Sequence, residues 1–227
     1  MIVSHRHKFI FIKTKKTAGT SVELVLRAFC GPDDIVVPLR AADEDLAHGH
    51  GPRNWRLGPP EHPARKALRR VFGFPRKKLE GYTAHMAASD VRKLIGDAIW
   101  DEYFKFTIER NPWDRQVSHY FYQMRSKGRR KLSFDQFMCT KRAYLNNIEL
   151  YSIDGEIAVD DVIRFENLQG DLVEVLKKIG ITSPVALPRA KGGIREGDGY
   201  RSYYTEHTNA LVSQWYAREI KEFGYEL

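Results

Sequence analysis

Residues 9–29 constrain this chain more than any other stretch. Phe9-Ile10-Phe11-Ile12 is an apolar strand, Lys13-Thr14-Lys15-Lys16-Thr17-Ala18-Gly19-Thr20-Ser21 is a basic loop of small and hydroxyl residues, and a helical stripe follows. Val22, Val25, Leu26 and Phe29 fall at i, i+3, i+4 and i+7, the buried face of a helix expected over Thr20–Phe29, which Gly31-Pro32 ends. A glycine at position 19 lets the backbone approach a ligand closely. The N–H groups and dipole at a helix start favour an anion. Lys13, Lys15 and Lys16 add cations beside Thr17 and Ala18, while Thr20 and Ser21 are expected to cap the helix and donate hydroxyls. The unit reads as a phosphate-binding loop. It is not the G-x-x-x-x-G-K-(S/T) loop of nucleoside triphosphatases: Thr20 follows Gly19 and the first glycine is missing. That counts against a metal-dependent nucleoside or adenylylsulfate kinase.

A second unit runs from residue 104 to 120. Phe104, Phe106 and Ile108 alternate as in a half-buried strand; Asn111 suits a helix N-cap and Pro112 the first helical position. Trp113, Val117, Tyr120, Phe121 and Met124 then form an apolar face, so the two aromatic rings of the motif, Trp113 and Tyr120, are expected in the core. Arg110 at the strand end and Ser118 two turns into the helix are placed to converge on one anion at the carboxyl edge of a sheet, where open α/β folds bind ligands.

Together, Lys16-Thr17-Ala18-Gly19-Thr20-Ser21 and Arg110-Asn111-Pro112-Trp113-Asp114-Arg115-Gln116-Val117-Ser118-His119-Tyr120 resemble two motifs of sulfotransferases that use 3′-phosphoadenosine 5′-phosphosulfate (PAPS). In that family K-T-A-G-T-(S/T) binds the 5′-phosphosulfate and R-N-P-W-(D/E)-R-x-(V/L)-S-x-Y the 3′-phosphate. The likeness is nearest to the carbohydrate-type branch, which includes heparan sulfate 2-O-sulfotransferases and bacterial relatives. It extends to Val162–Leu168, Tyr200–Tyr204 and Phe223–Tyr225, and is lost over about residues 31–80; Lys15 stands where the family commonly has proline. The resemblance implies an α/β, P-loop-like three-layer fold with a central parallel sheet flanked by helices. It implies PAPS as co-substrate, adenosine 3′,5′-bisphosphate as product, no metal, and a small-molecule or glycan acceptor. It also puts Lys191 and Arg195 where relatives close a loop over the 3′-phosphate, although an ordinary surface loop fits them equally.

The hydroxyl that attacks sulfur must lose a proton, and imidazole suits that task. His85, in Gly81-Tyr82-Thr83-Ala84-His85-Met86, precedes a helix in the region where carbohydrate-type enzymes carry their catalytic histidine. His48-Gly49-His50 is the alternative, with both side chains expected on one strand face, and His62 trails. No third ligand at suitable spacing accompanies His48 and His50, so a metal site is not expected.

The remaining chain fits one domain, residues 1–227, with a variable acceptor-side excursion at about 31–80. Helices are expected at Ala88–Ile95, Pro112–Arg125, Leu168–Ile179 and about Asn209–Glu222, strands at Tyr103–Glu109 and Asp161–Phe165, and a capping box at Ser133-x-x-Gln136. Strands alternating with helices imply a parallel sheet covered on both faces. The formal charge of +8 calls for an anionic partner. No nucleic-acid-binding motif is present, and a PAPS site with an acidic glycan groove absorbs the charge as well as a non-catalytic nucleic-acid-binding protein would. The densest cluster, Arg65 to Lys78, reads equally as a solvated face or an acceptor patch. With no long apolar run, no signal-peptide core, and Cys30 and Cys139 as two buried thiols, a cytoplasmic protein without a membrane anchor is expected.

Overall fold

Alternation along one short strand decides how the molecule layers. Phe9 and Phe11 point to one side of the sheet and Ile10 and Ile12 to the other, and all four are fully buried. Such a strand needs cover on both faces. The computed structural model describes residues 1–58, 81–125, 131–188 and 199–227. In chain order its elements are β1 (Ile2–Ser4), β2 (Phe9–Phe11), α1 (Gly19–Arg27), β3 (Ile35–Val36) and α2 (Ala41–Glu44). Then come α3 (Ala88–Ile95), α4 (Asp97–Glu102), β4 (Phe104–Glu109), α5 (Pro112–Met124) and α6 (Phe134–Met138). A hairpin of β5 (Ser152–Ile153) and β6 (Glu156–Ile157) leads to β7 (Asp161–Arg164), α7 (Leu168–Lys178), α8 (Glu206–Trp215) and α9 (Ala217–Phe223).

The central sheet has the order β3-β1-β2-β4-β7. β2, β4 and β7 are parallel, joined through helical crossovers. β1 runs antiparallel to both β2 and β3, so the sheet is mostly rather than wholly parallel. The cause is the connection: His5–Lys8 is too short for a crossover and allows only a hairpin, with Lys8 at φ 49 in its turn. β3 also shows that the stretch beginning at residue 31 is not irregular throughout, since Ile35 and Val36 join the sheet.

On one face α1 and α7 bring Val22, Val25, Leu26, Leu172, Val175 and Leu176 against Phe9, Phe11, Phe106, Ile108 and Ile163. On the other, α3 and α4 bring Ala88, Val91 and Trp100 against Val3, Ile10 and Ile12. The expected three layers are therefore present. A third cluster joins α5, α6, α8 and α9 around Trp113, Val117, Phe137, Val212 and Tyr216.

Local chemistry set most boundaries. Asn111 caps α5 by accepting from the N–H groups of Trp113 and Asp114, with Pro112 first in the helix. Ser133 and Gln136 form their capping box. Gly180 ends α7 at φ 76. The single last helix expected at about Asn209–Glu222 is instead two. Tyr216, 1% exposed, is drawn into the core, where its hydroxyl donates to Gln116 and accepts from the Leu145 N–H, and the helix breaks there. Cys30 is buried as expected; Cys139, at the end of α6, is exposed. Among the described residues no helix is long and apolar enough to cross a membrane.

Candidate active site

Parallel β2 and β4 deliver the two motifs to the same sheet edge. The first loop is stitched to β4: Ile12 N–H donates to the Phe106 carbonyl at 3.0 Å, Thr107 Oγ1 to the Ile12 carbonyl at 2.7 Å, and Thr14 Oγ1 to the Ile108 carbonyl. Lys16 (φ 66) and Ala18 (φ 60) both take the left-handed conformation, uncommon for residues with a side chain. Strain of this kind persists where surrounding structure enforces it, and such turns gather backbone N–H groups into an anion-binding concavity. Ala18 is the N-cap of α1 and no side chain caps it. Thr20 and Ser21, expected as caps, lie inside the first turn, because the left-handed turn starts the helix earlier than the side-chain pattern suggested. The Ser21 and Val22 N–H groups turn back to the Ala18 carbonyl, and the helix N-terminus, without a side-chain cap at Ala18, is the kind of place where an anion is favoured. Gly19 has a packing reason: a Cβ there would sit 2.9 Å from Lys13 Cγ.

The three lysines have different surroundings. Lys13 passes beneath Gly19 and its ammonium lies 2.5 Å from buried Glu23, which also takes Arg27 at 3.5 Å and the Met1 amine at 3.4 Å. Its charge is therefore engaged with a buried carboxylate. The physical reason is Glu23, a fully buried carboxylate one turn into α1 that needs cations around it. Lys15 is gripped through its backbone by Asn147. The Lys16 ammonium sits 4.4 Å from the centre of the Tyr122 ring, and Arg40 approaches the same ring at 5.0 Å.

Arg110 directly follows β4 and is 8% exposed. Its Nη1 donates to the Lys16 carbonyl at 3.1 Å, so the two motifs touch directly. Nε and Nη2 bind Asp114 at 2.6 and 2.5 Å, and the guanidinium stacks 3.9 Å from the Phe165 ring centre. Asp114, Ser118 and Tyr122 follow at i, i+4 and i+8 on α5 and so share one helix face. Ser118 lies between the residue that orients Arg110 and the ring beneath Lys16. The rest of the motif is scaffolding: fully buried Arg115 bridges Glu109 (2.5 Å) and Glu219 (3.3 Å). Trp113 is buried and Tyr120 half-buried, with Trp113 Nε1 donating to Asn209 and the Tyr120 hydroxyl to the Leu132 carbonyl.

His85 is brought to the loop. Its Nδ1 lies 2.9 Å from the Lys13 carbonyl. A carbonyl only accepts, so this bond fixes the proton on Nδ1 and leaves the lone pair on Nε2. Although the residue keeps an exposed face, protein around the ring disfavours the imidazolium. The Lys13 carbonyl opposes this, the Lys13, N-terminal and Lys15 cations add to it, and the balance lowers the pKa to about 4. His48 and His50 do not form a strand face. His48 (φ 45) and Gly49 (φ 88) make a turn, because the preceding Asp45–Ala47 is a 3-10 helix that must be terminated. His119 is buried and bonds the Arg142 carbonyl through Nε2; burial and, less strongly, the nearby Lys16, Lys15 and Arg115 lower its pKa to about 4. Lys191, Arg195, His62 and the Arg65–Lys78 cluster lie outside the described residues. Among the described residues no group of three or more metal-ligating side chains gathers.

Two residues of this site were not found by sequence reasoning. Tyr122 carried a signal, its i+4 spacing from Ser118. Asn147 carried none, since it meets Lys15 from 132 positions away.

A family model described as the sulfotransferase family matches residues 1–226. The chain is also 35% identical, over 100 residues, to an uncharacterized protein of Archaeoglobus fulgidus; the match covers 42% of this chain and 83% of the relative.

Proposed function

This chain belongs to the sulfotransferase family, and on that premise we propose that it moves the sulfuryl group of PAPS to a hydroxyl of an acceptor, with a carbohydrate as the acceptor class. The observation that carries the reading is the 3.1 Å bond from Arg110 to the Lys16 carbonyl. It puts a guanidinium and an uncapped, strained helix start side by side, as a nucleotide with phosphates at both 3′ and 5′ positions requires. The donor set fits: backbone N–H groups and hydroxyls over residues 16–21 for the 5′ side, and Arg110 with Ser118 for the 3′-phosphate.

PAPS supplies an activated sulfuryl group whose leaving group is a phosphate. The protein supplies the rest. Nε2 of His85 takes the acceptor's proton as its oxygen attacks sulfur. The Lys16 ammonium compensates charge that develops on the departing oxygen, an effect of preorganised electrostatics. Lys13 acts through its shape and carbonyl, under Gly19 and on His85, rather than by its charge. We read residues 1–227 as one such domain and the cytoplasm as its place of work; both cysteines are free thiols.

Incubation with sulfur-labelled PAPS and an acceptor panel of glycans, phenols and lipids tests this. Label is expected in a glycan. Label only in phenols or lipids would overturn the acceptor class. Magnesium-dependent ATP turnover without sulfuryl transfer would overturn the activity.

A further inference from the structure

We propose that Asn147 is a positioning residue of the phosphate loop, setting the backbone of Lys16 through that of Lys15. The proposal rests on the reading of residues 16–21 as the 5′-phosphate site.

Asn147 is fully buried. Its Oδ1 accepts the Lys15 N–H at 3.0 Å and its Nδ2 donates to the Lys15 carbonyl at 2.9 Å. One side chain thus holds both peptide groups that flank Lys15. The second of them also contains the nitrogen of Lys16, so its plane is the reference from which φ of Lys16 is turned. With that plane fixed, the left-handed φ of 66 aims the following N–H groups in one direction. A residue with a side chain holds such a conformation only where its surroundings over-determine it. Of the contacts around Lys16, the Asn147 pair acts on the peptide immediately before it.

Asn147 is itself braced. Gln116 donates to the Ala143 carbonyl at 2.9 Å, and the Tyr216 hydroxyl bonds both Gln116 and the Leu145 N–H at 3.0 Å. The Tyr151 hydroxyl donates to Glu109 at 2.9 Å, and the Leu150 N–H to the Asn147 carbonyl at 2.8 Å. Gln116, Tyr216, Tyr151 and Glu109 are all buried. Gln116 belongs to the second motif and Glu109 to the strand that leads into it. One motif therefore braces the backbone of the other through Asn147, in addition to the direct bond from Arg110.

The test compares wild type and Asn147→Ala by calorimetry with adenosine 3′,5′-bisphosphate and adenosine 3′-monophosphate, with thermal melting as the check on folding. The ratio of the two affinities isolates the contribution of the 5′-phosphate. Wild type should favour the bisphosphate. The variant should lose about tenfold of that preference, the size of one buried hydrogen-bonding defect, while 3′-monophosphate binding stays within about twofold. A folded variant that keeps the wild-type ratio overturns the proposal, and so does an equal loss for both ligands, which marks a general scaffold role. A wild type indifferent to the 5′-phosphate overturns the underlying site reading instead. If the alanine variant does not fold, Asn147→Ser, which keeps a polar group in the cavity, is measured by the same ratio.

Discussion

Lowering the pH from 8 to 6 separates His85, as the proposed base, from an ordinary histidine. An imidazole at the reference value of about 6.5 is about 97% neutral at pH 8 and about 24% at pH 6, so a rate that needs the neutral form falls roughly fourfold. With the His85 pKa lowered to about 4, the neutral fraction at pH 6 is still about 99%. The rate should then be flat from pH 8 to 6 and decline only as pH approaches 4. The assay is the initial rate of labelled sulfuryl transfer at low substrate, since kcat/KM reports the free enzyme. His85→Ala should lower the rate by about 10²–10⁴ and remove the acid limb, with nucleotide affinity nearly unchanged. A fourfold loss between pH 8 and 6 that disappears in His85→Ala would refute the effect of the surroundings on this ring. Normal turnover by His85→Ala, with His48→Ala or His50→Ala inactive, would refute the choice of base.

Lys16→Ala should cost on the order of 10²–10³ in turnover while adenosine 3′,5′-bisphosphate still binds, because backbone N–H groups remain; near wild-type rates would remove its role. Arg115→Met should destabilise the fold by about 3–5 kcal/mol in urea unfolding, since Glu109 and Glu219 would stay buried without their cation; a loss under about 1 kcal/mol would mean that the pair of carboxylates needs no partner. His119 is held near 4 when folded against an unfolded value of 6.5, so between those values the unfolded chain takes up a proton that the folded one refuses. Its contribution is therefore present above pH 6.5 and lost as pH falls toward 4. In urea titrations His119→Gln should make the acid loss shallower by one proton, and an unchanged slope would contradict this.

What the sequence made legible was local. The Asn111 cap with Pro112, the Ser133–Gln136 box and the glycine stop after α7 are contacts within a few residues, and each formed as its chemistry requires. The loop and the second motif are likewise short-range patterns, and they meet at one sheet edge because β2 and β4 are parallel neighbours. What stayed hidden was set at long range. Three residues, Ile2–Ser4, carry too little pattern to announce a strand, yet they change the sheet from parallel to mixed. Nothing beside Lys13 says that its charge is taken by Glu23, ten residues on and inside the protein. Tyr216 breaks the last helix because its hydroxyl reaches Gln116, 100 positions earlier. The Asn147 clamp on Lys15 has the same character.

The central claim is that Arg110 and the loop around Lys16 form one site for a nucleotide phosphorylated at both ends. Calorimetry with adenosine 3′,5′-bisphosphate and AMP, on wild type and Arg110→Ala, tests it most directly. The account predicts a wild-type preference for the bisphosphate of about tenfold or more, the size of one charge-assisted contact, and the loss of most of that preference in Arg110→Ala. Equal affinity of the wild-type protein for the two nucleotides would contradict it.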